Sequence, residues 1–242
     1  MRILVVSDIH GNYPALEAVL ASSITVDAVW CLGDLVGYGP FPNECIERVS
    51  TLPNLTCLMG NHDAAVVNSQ DIDRFNEEAS HIIYWTKREI SRENQEFLSH
   101  LPETVTTIWA TLAHGSPRSP TWEYVIDQMT ALVNFAYFDT QLALVGHSHL
   151  PLAFVVNPDG EKITRTLLQP GTILNIESRA ILNPGSVGQP RDHDPRASYG
   201  ILDPEAKTWE IHRVAYDIKK TQAAVKKAGL PNKLCKRLAE GW

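Results

Sequence analysis

The stretch ILVVSDIHGN (residues 3–12) decides how the rest of the chain reads. Ile3–Val6 is an unbroken apolar run, the pattern of a strand buried on both faces in a parallel sheet. It stops at Ser7, and Asp8 and His10 follow at once. Asn12 and Pro14 then open a segment with Leu16, Val19 and Leu20 on one face, which predicts a helix capped by Asn12. The order recurs downstream. Ala28–Leu32 ends at Gly33-Asp34, and Asn43 starts a helix through Ile46 and Val49. Leu55–Met59 ends at Gly60-Asn61-His62-Asp63. This alternation predicts parallel βαβ units.

Further along, Asp71–His100 reads as helical, with Phe75, Ile82, Ile83 and Ile90 as apolar positions. After that the chain turns to strands with few long helices between them. They are Thr104–Ile108, Thr111–Ala113, Leu142–Val145, Ala153–Val156, Ile163–Leu167, Thr172–Ile176, Ala197–Leu202 and Trp209–Val214. Val156-Asn157-Pro158-Asp159-Gly160 is a turn signal between two of them. Helical material follows Tyr216 and is interrupted at Gly229-Leu230-Pro231. Its lysines and arginines, interleaved with Val225, Leu230, Leu234 and Leu238, read as amphipathic helices with a solvated basic face. The expected fold is α/β: two β-sheets packed as a sandwich and flanked by helices in four layers. With 242 residues, 44% of them hydrophobic, one domain spanning residues 1–242 can bury a substantial core.

The formal net charge of -7 argues against broad, charge-driven association with nucleic acid, so no stable nucleic-acid partner is expected. None of Cys31, Cys45, Cys57 and Cys235 forms a CxxC pair, and Cys31 and Cys57 lie in apolar runs. The expectation is free thiols in a reducing compartment. Ile3–Val6 is too short for a signal-peptide core, and no segment approaches the ~20 apolar residues of a membrane span. A cytoplasmic location without membrane attachment is expected.

Five motifs fall at predicted strand ends: Asp8-Ile9-His10, Gly33-Asp34, Gly60-Asn61-His62-Asp63, Ala113-His114-Gly115 and Gly146-His147-Ser148-His149. In open α/β sheets, ligand sites lie beyond the carboxyl ends of the strands, so these side chains converge if the strands are neighbours. Residues i and i+2, such as Asp8 and His10 or His147 and His149, can leave an extended segment on one side. A carboxylate, unlike a neutral imidazole, can bridge two cations, and Asp34 is well placed to do so. Mixed Asp, Asn and His ligation suits Mn, Fe or Zn better than Ca. Two such ions against two carboxylates leave a local excess of about two positive charges, able to attract phosphate to an acidic protein. Each motif alone also fits a polar strand end or a tight loop. Together and in this order, holding five of the nine histidines, they point to a two-metal hydrolase. His81, His100, His193 and His212 lack such company.

The ordered set D-x-H, G-D, G-N-H-[DE], a later H and G-H-x-H resembles the calcineurin-like metallophosphoesterase superfamily, and in particular its small bacterial and archaeal phosphodiesterase branch. The resemblance extends through Asn183-Pro184-Gly185-Ser186. It implies that Asp8, His10 and His149 bind one divalent ion, that Asn61, His114 and His147 bind a second, and that Asp34 bridges both. Mn2+ is the expected metal, with Fe, Zn or Ni as alternatives. It also implies that His62 is not a ligand but contacts the phosphate and protonates the leaving oxygen, with Asp63 orienting it. The attacking group would be a hydroxide shared by the two ions, which lower the pKa of water and polarise the phosphoryl oxygens.

The segment GDLVGYG (residues 33–39) lacks the basic residue usual in phosphoprotein phosphatases of the superfamily, and Asp63 stands where those carry Glu. The expectation is therefore a phosphodiesterase acting on a small phosphorylated substrate of nucleotide type. A phosphomonoesterase or phosphoprotein phosphatase is the enzymatic alternative. A catalytically silent scaffold of the same fold is disfavoured, because His62 and all seven ligand positions are intact. Tyr38 and Phe41 are candidates to stack on a base, and Arg191 to hold a non-reacting phosphate. Arg118 is a weaker candidate. Gly185, Ser186 and Gly188 are candidates to turn backbone N–H groups toward an anion. The oligomeric state has no signature in the sequence.

Overall fold

The computed structural model describes all residues except 23–24, 158–159 and 161, and the side chains of 69–71 are likewise left aside. In chain order the first half is β1 (Ile3–Val6), α1 (Tyr13–Leu20), β2 (Ala28–Cys31), α2 (Pro42–Ser50), β3 (Leu55–Cys57) and α3 (Asn61–Val67). A 3-10 segment (Ser69–Arg74), α4 (Glu77–Glu89) and α5 (Arg92–Ser99) complete it. The second half begins with β4 (Thr104–Thr106), β5 (Ala110–Ala113), α6 (Gln128–Asn134), β6 (Leu142–Leu144), β7 (Leu152–Val156) and β8 (Ile163–Leu167). It continues with β9 (Ile173–Asn175), β10 (Ala180–Leu182), β11 (Ala197–Asp203), β12 (Thr208–Val214), α7 (Ile218–Lys227) and α8 (Asn232–Glu240).

The strands form two six-stranded mixed sheets, ordered β3-β2-β1-β11-β12-β9 and β4-β5-β6-β10-β7-β8. In the first, β1, β2 and β3 run parallel, and β11 joins β1 antiparallel. In the second, β5, β6 and β10 run parallel. The period-two alternation of β1 sets the layers. Ile3 and Val5 meet Leu112, Leu142, Leu144 and Leu182 of the other sheet, whereas Leu4 and Val6 pack with Leu16 and Val19 of α1 and Ile46 and Val49 of α2. On the far side, Ala143, Phe154 and Ile181 pack with Ala131 of α6 and with Phe135 and Phe138. Helix, sheet, sheet and helix are therefore stacked, as the sequence predicts. The apolar faces of α7 and α8 close on Ile82 of α4 through Val225, Leu230, Leu234 and Leu238.

Several boundaries differ from the sequence reading, each for a local reason. The span from Asp71 is three pieces rather than one helix. Asn76 and Ser91 interrupt it as N-caps, accepting the N–H groups of Ala79 (2.9 Å) and Asn94 (3.1 Å). Asn12 stands at the N-cap of α1, but its side chain does not cap. It donates to Gly188 O (2.9 Å) and the Tyr216 hydroxyl (3.1 Å) and accepts from Thr221 (3.0 Å), so it joins three distant segments. The second helix starts one residue before Asn43, and Asn43 accepts from Ser91 N–H (2.9 Å). Two helices, α3 and α6, and the short central strand β10 were not anticipated. At three residues β10 is too brief to show a period, and it exists because β6 and β7 flank it on both sides. In the β7–β8 hairpin, Gly160 N–H bonds Asn157 O (2.8 Å), while Pro158 and Asp159 of the expected turn lie outside the described residues.

All four cysteines are free and buried. Among the described residues no helix is long and apolar enough to cross a membrane. Trp209 of β12 is fully buried between the sheets beside Ile3 and Leu202. Trp209→Ala is expected to lower unfolding free energy by ~3–5 kcal/mol, the usual cost of an aromatic-sized core cavity, in a urea titration followed by circular dichroism.

Candidate metal centre

The carboxyl ends of β1, β2, β3, β5 and β6 all open on one edge of the sandwich, and the five motifs meet there. Asp8, His10, Asp34, Asn61, His62, Asp63, His114, His147 and His149 are all buried, none exposing more than 4% of its surface. The strand pairing carries on past the strands. Asp8 N–H bonds Gly33 O (3.0 Å), His10 N–H bonds Asp34 O (2.9 Å) and Gly146 N–H bonds His114 O (2.7 Å). The motifs are not extended, contrary to the i, i+2 reading. Asp8, His10, Asp34, His147 and His149 have φ of 55°, 48°, 55°, 62° and 59°. Non-glycine residues rarely occupy this left-handed region, and such strain persists only where the surroundings over-determine it. Here the turn swings each ligand side chain inward over the strand end. Gly60 sits flush against one of them. A Cβ there would lie 2.0 Å from Asp34 Oδ1.

The hydrogen bonds leave a particular set of atoms bare. Asp8 Oδ2 accepts from His147 N–H (3.1 Å) and Asp34 Oδ1 from His62 N–H (2.8 Å). Asp8 Oδ1 and Asp34 Oδ2 are buried with no hydrogen-bond partner, as is His147 Nε2. The Nδ1 atoms of His10, His114 and His149 face the carbonyls of Val36 (3.0 Å), Leu32 (2.9 Å) and Gln189 (2.5 Å). Those carbonyls require a proton on each Nδ1, so Nε2 of His10 and His149 presents a lone pair to the centre, and Nε2 of His114 does so once its second proton is lost. Yet His10 Nε2 lies 3.1 Å from His149 Nε2, which is 3.3 Å from Asp8 Oδ1. Three acceptors with no proton among them fit a cation. On the other side, His114 Nε2 is 3.3 Å from Asp34 Oδ2 and 3.0 Å from Asn61 Oδ1. Asp34 Oδ2 is also 3.6 Å from His10 Nε2, so it stands between the two groups. Ligand atoms within Asp8-His10-His149 and within Asp34-His114-His147 lie within 4.8 Å of one another. These residues can hold two cations with one shared carboxylate.

The electrostatics agree. Burial drives the imidazoles of His10 and His149 well below the usual range and His147 down to about 2, so all three are neutral, as ligands must be. Burial raises the Asp8 carboxyl to about 6. Burial also opposes ionisation of Asp34, but the neighbouring His114, His62 and His10 outweigh it and hold that carboxyl well below its ordinary value. Burial works against charge on His114 as well. Asp34 overcomes it and lifts the imidazole to about 9. A proton on His114 thus takes the place that a cation would fill.

Burial pushes His62 down to about 4. Its Nδ1 is enclosed without a partner, against Gly37, where a Cβ would come within 2.5 Å. Nε2 is the nitrogen left to the pocket. Asp63 makes no hydrogen bond to the His62 ring, contrary to expectation. Its carboxylate accepts from Gly60 N–H (3.0 Å) and Val36 N–H (3.1 Å), so it caps α3 and ties it to the loop after Asp34. The motif starts a helix, and Asp63, the third helical residue, faces the backbone rather than the neighbouring ring.

A pocket of about 190 Å³ opens over the centre, lined in part by Asp34, His62, His147 and His149. Tyr38 and Arg191 line it too, as the sequence suggested, and the Arg191 guanidinium lies 5.9 Å from the Tyr38 ring centroid. Phe41 lies elsewhere, in a groove with Pro40, Trp85 and Ala224. Arg118 pairs with Glu123 outside the pocket. The N–H groups of Gly185 and Gly188 are taken by Asn183 Oδ1 (2.8 Å) and Asp8 O (2.9 Å), so that loop buttresses Asp8 instead of facing the pocket. Arg74, Phe75, Trp122 and Tyr124 also line the pocket, and the sequence reading did not single them out as site residues. A signal was present for two of them. Trp122 and Tyr124 sit in SPRSPTWEY (residues 116–124), a proline-broken loop directly after His114, where functional side chains concentrate.

Known proteins resemble this chain in sequence and fold. The calcineurin-like phosphoesterase superfamily domain matches residues 1–207. The chain belongs to that superfamily. A metallophosphoesterase structure from Sphaerobacter thermophilus superposes with a TM-score of 0.92 at 45% identity, covering 100% of this chain and 99% of that one. An uncharacterized protein of Methanocaldococcus jannaschii is 42% identical over 99% of this chain and 98% of its own. The phosphodiesterase YfcE of Escherichia coli is 29% identical over 84% of this chain and 88% of its own. A hydrolase of phosphoric esters follows from this membership.

Two outcomes are expected. Because His114 is lifted to about 9, it holds a proton at neutral pH that a divalent ion must displace. Metal affinity should therefore weaken as pH falls below about 9, and again below about 6 where Asp8 takes a proton. Calorimetric titration with Mn2+ in buffers of different ionisation enthalpy should register proton release at pH 7. Absence of release would mean that His114 holds no proton for the ion to displace at pH 7. Gly60→Ala should cut the bound metal per chain, read by elemental analysis, since its Cβ displaces the Asp34 carboxylate.

Proposed function

We propose that this protein is a dinuclear metal-dependent phosphodiesterase that hydrolyses a small diester of nucleotide type. The observation that carries the reading is the pair of facing, proton-free imidazole nitrogens of His10 and His149, 3.1 Å apart, with Asp34 Oδ2 reaching toward both halves of the ligand cluster. Similarity to YfcE over most of both chains supports a diester over a monoester. Asp8, His10 and His149 would hold one ion, Asn61, His114 and His147 the other, and Asp34 both. Manganese fits the mixed carboxylate, amide and imidazole set. When bound, such a pair supplies Lewis acidity toward phosphoryl oxygens and makes water acidic enough to attack phosphorus.

The chain's own residues do the rest. Arg191, held between Tyr38 and the pocket mouth, offers charge to an oxygen of the incoming phosphate. His62 presents Nε2 to the leaving oxygen. Left alone its imidazole stays neutral at pH 7, because burial holds it near 4. An anionic phosphate alongside favours the protonated form and raises that value, so His62 becomes a proton donor only with substrate in place. Gly37, packed on the ring with φ of 97°, keeps it turned to the pocket. Asp63 acts indirectly, by fixing the start of α3 that carries His62.

A leaving-group comparison tests this assignment. His62→Ala, with both metals bound, is expected to lower kcat by roughly 10²–10⁴-fold for a diester with an alkoxide leaving group. The loss should be much smaller for a p-nitrophenyl ester, whose leaving oxygen needs no proton. Equal losses on both would mean that His62 is not the acid. Faster turnover of matched phosphomonoesters by the wild-type chain would replace the diester reading with a phosphomonoesterase.

A further inference from the structure

One wall of the pocket is a row of edge-to-face rings leading away from the candidate metal centre. The His62 imidazole meets Phe75 edge-on, with centroids 4.9 Å apart, and Phe75 meets Trp122 at 5.0 Å. The Arg74 guanidinium carbon lies over the outer Trp122 ring, 4.0 Å from its centroid. Across the pocket, Tyr124 stacks on His147 at 3.8 Å, and 46% of its surface is exposed. None of these four side chains is needed to bind metal or to move a proton, yet all face the pocket.

We propose that Trp122 is the specificity-determining residue, and that it takes a nucleobase from the part of the substrate that carries no reacting bond. This assignment rests on the phosphoester reading above. Three features carry it. The indole is fixed by Phe75 and by its proline-bounded loop, so little ordering is required on binding. The indole carries a cation, the Arg74 guanidinium carbon, 4.0 Å from its centroid, so this face already takes a π-binding partner. The two ring steps limit the distance from His62 to Trp122 to about the reach of a nucleoside 5′-phosphate from phosphorus to base. Arg74 is a long, exposed side chain at the end of the 3-10 segment. Stacking of this kind tolerates any base, since every base offers a π face.

Equilibrium binding of product-like ligands tests the proposal independently of turnover. The Mn2+-loaded chain would be titrated calorimetrically with inorganic phosphate and with adenosine 5′-monophosphate. The wild-type chain should bind the nucleotide roughly tenfold or more tightly than phosphate. Trp122→Ala should bring the two affinities within about threefold while leaving the affinity for phosphate unchanged, and Trp122→Phe should keep most of the difference. No preference for the nucleotide in the wild-type chain, a preference that survives Trp122→Ala, or an equal loss for both ligands would each overturn the role of Trp122. Failure of phosphate itself to bind the loaded wild-type chain would instead count against the phosphoester reading.

Discussion

Two buried imidazole nitrogens face one another across 3.1 Å, each with its proton fixed on the far side of the ring. A bare carboxylate oxygen stands beside them, and another, with a third imidazole, stands a few ångström away. A protein interior does not tolerate an uncompensated cluster of acceptors, because burial removes the water that would otherwise satisfy them. The rest of the architecture serves to hold that cluster together. The backbone carbonyls of Val36, Leu32 and Gln189 choose the tautomers. Backbone N–H groups of His62 and His147 each occupy one carboxylate oxygen and leave the other free.

The fold supplies the force that keeps such atoms in place. Parallel strands from both sheets end at the same edge, and their loops continue the sheet hydrogen bonding beyond the last strand residue. Five of the inward side chains depend on left-handed backbone at non-glycine positions. Each is a small local cost, tolerated because the loop is bonded on both sides to other ligand loops. The Asn183–Arg191 segment is part of this frame. Ser186 donates to Asp8 O (2.8 Å) and Gly188 N–H bonds the same carbonyl, so the segment locks Asp8 from behind and, of its residues, Arg191 lines the pocket. Asn12 ties the same segment to α7 through Gly188, Tyr216 and Thr221.

The order of elements was legible wherever burial imposes a period. The apolar runs of β1, β2 and β3 and the amphipathic faces of α1, α2, α7 and α8 follow from side-chain pattern alone. So did the division into two sheets, since few helices separate the later strands. What escaped was short and context-dependent. The strand β10 has three residues and is a strand because its neighbours are. The helix α3 begins inside a motif whose composition fits a tight loop equally well. Asp63 illustrates the limit for function. Its place next to His62 suggested a side-chain partner, whereas the helical start turns its carboxylate toward Gly60 and Val36.

By itself, the sequence determined the superfamily and the set of candidate ligands. Residue type and order along the chain name the candidate ligands, because only certain side chains coordinate divalent ions and they stand at the ends of recognisable strands. The tertiary structure alone decided which atoms of those side chains are free, because that depends on hydrogen bonds between segments more than a hundred residues apart, such as His147 N–H to Asp8. It also decided the wall of the pocket. Phe75 reads as one more apolar position in a helix, and Trp122 as a loop residue. They meet beside His62 because the 3-10 segment and the loop after His114 come from different sheets and converge only once the sandwich has closed.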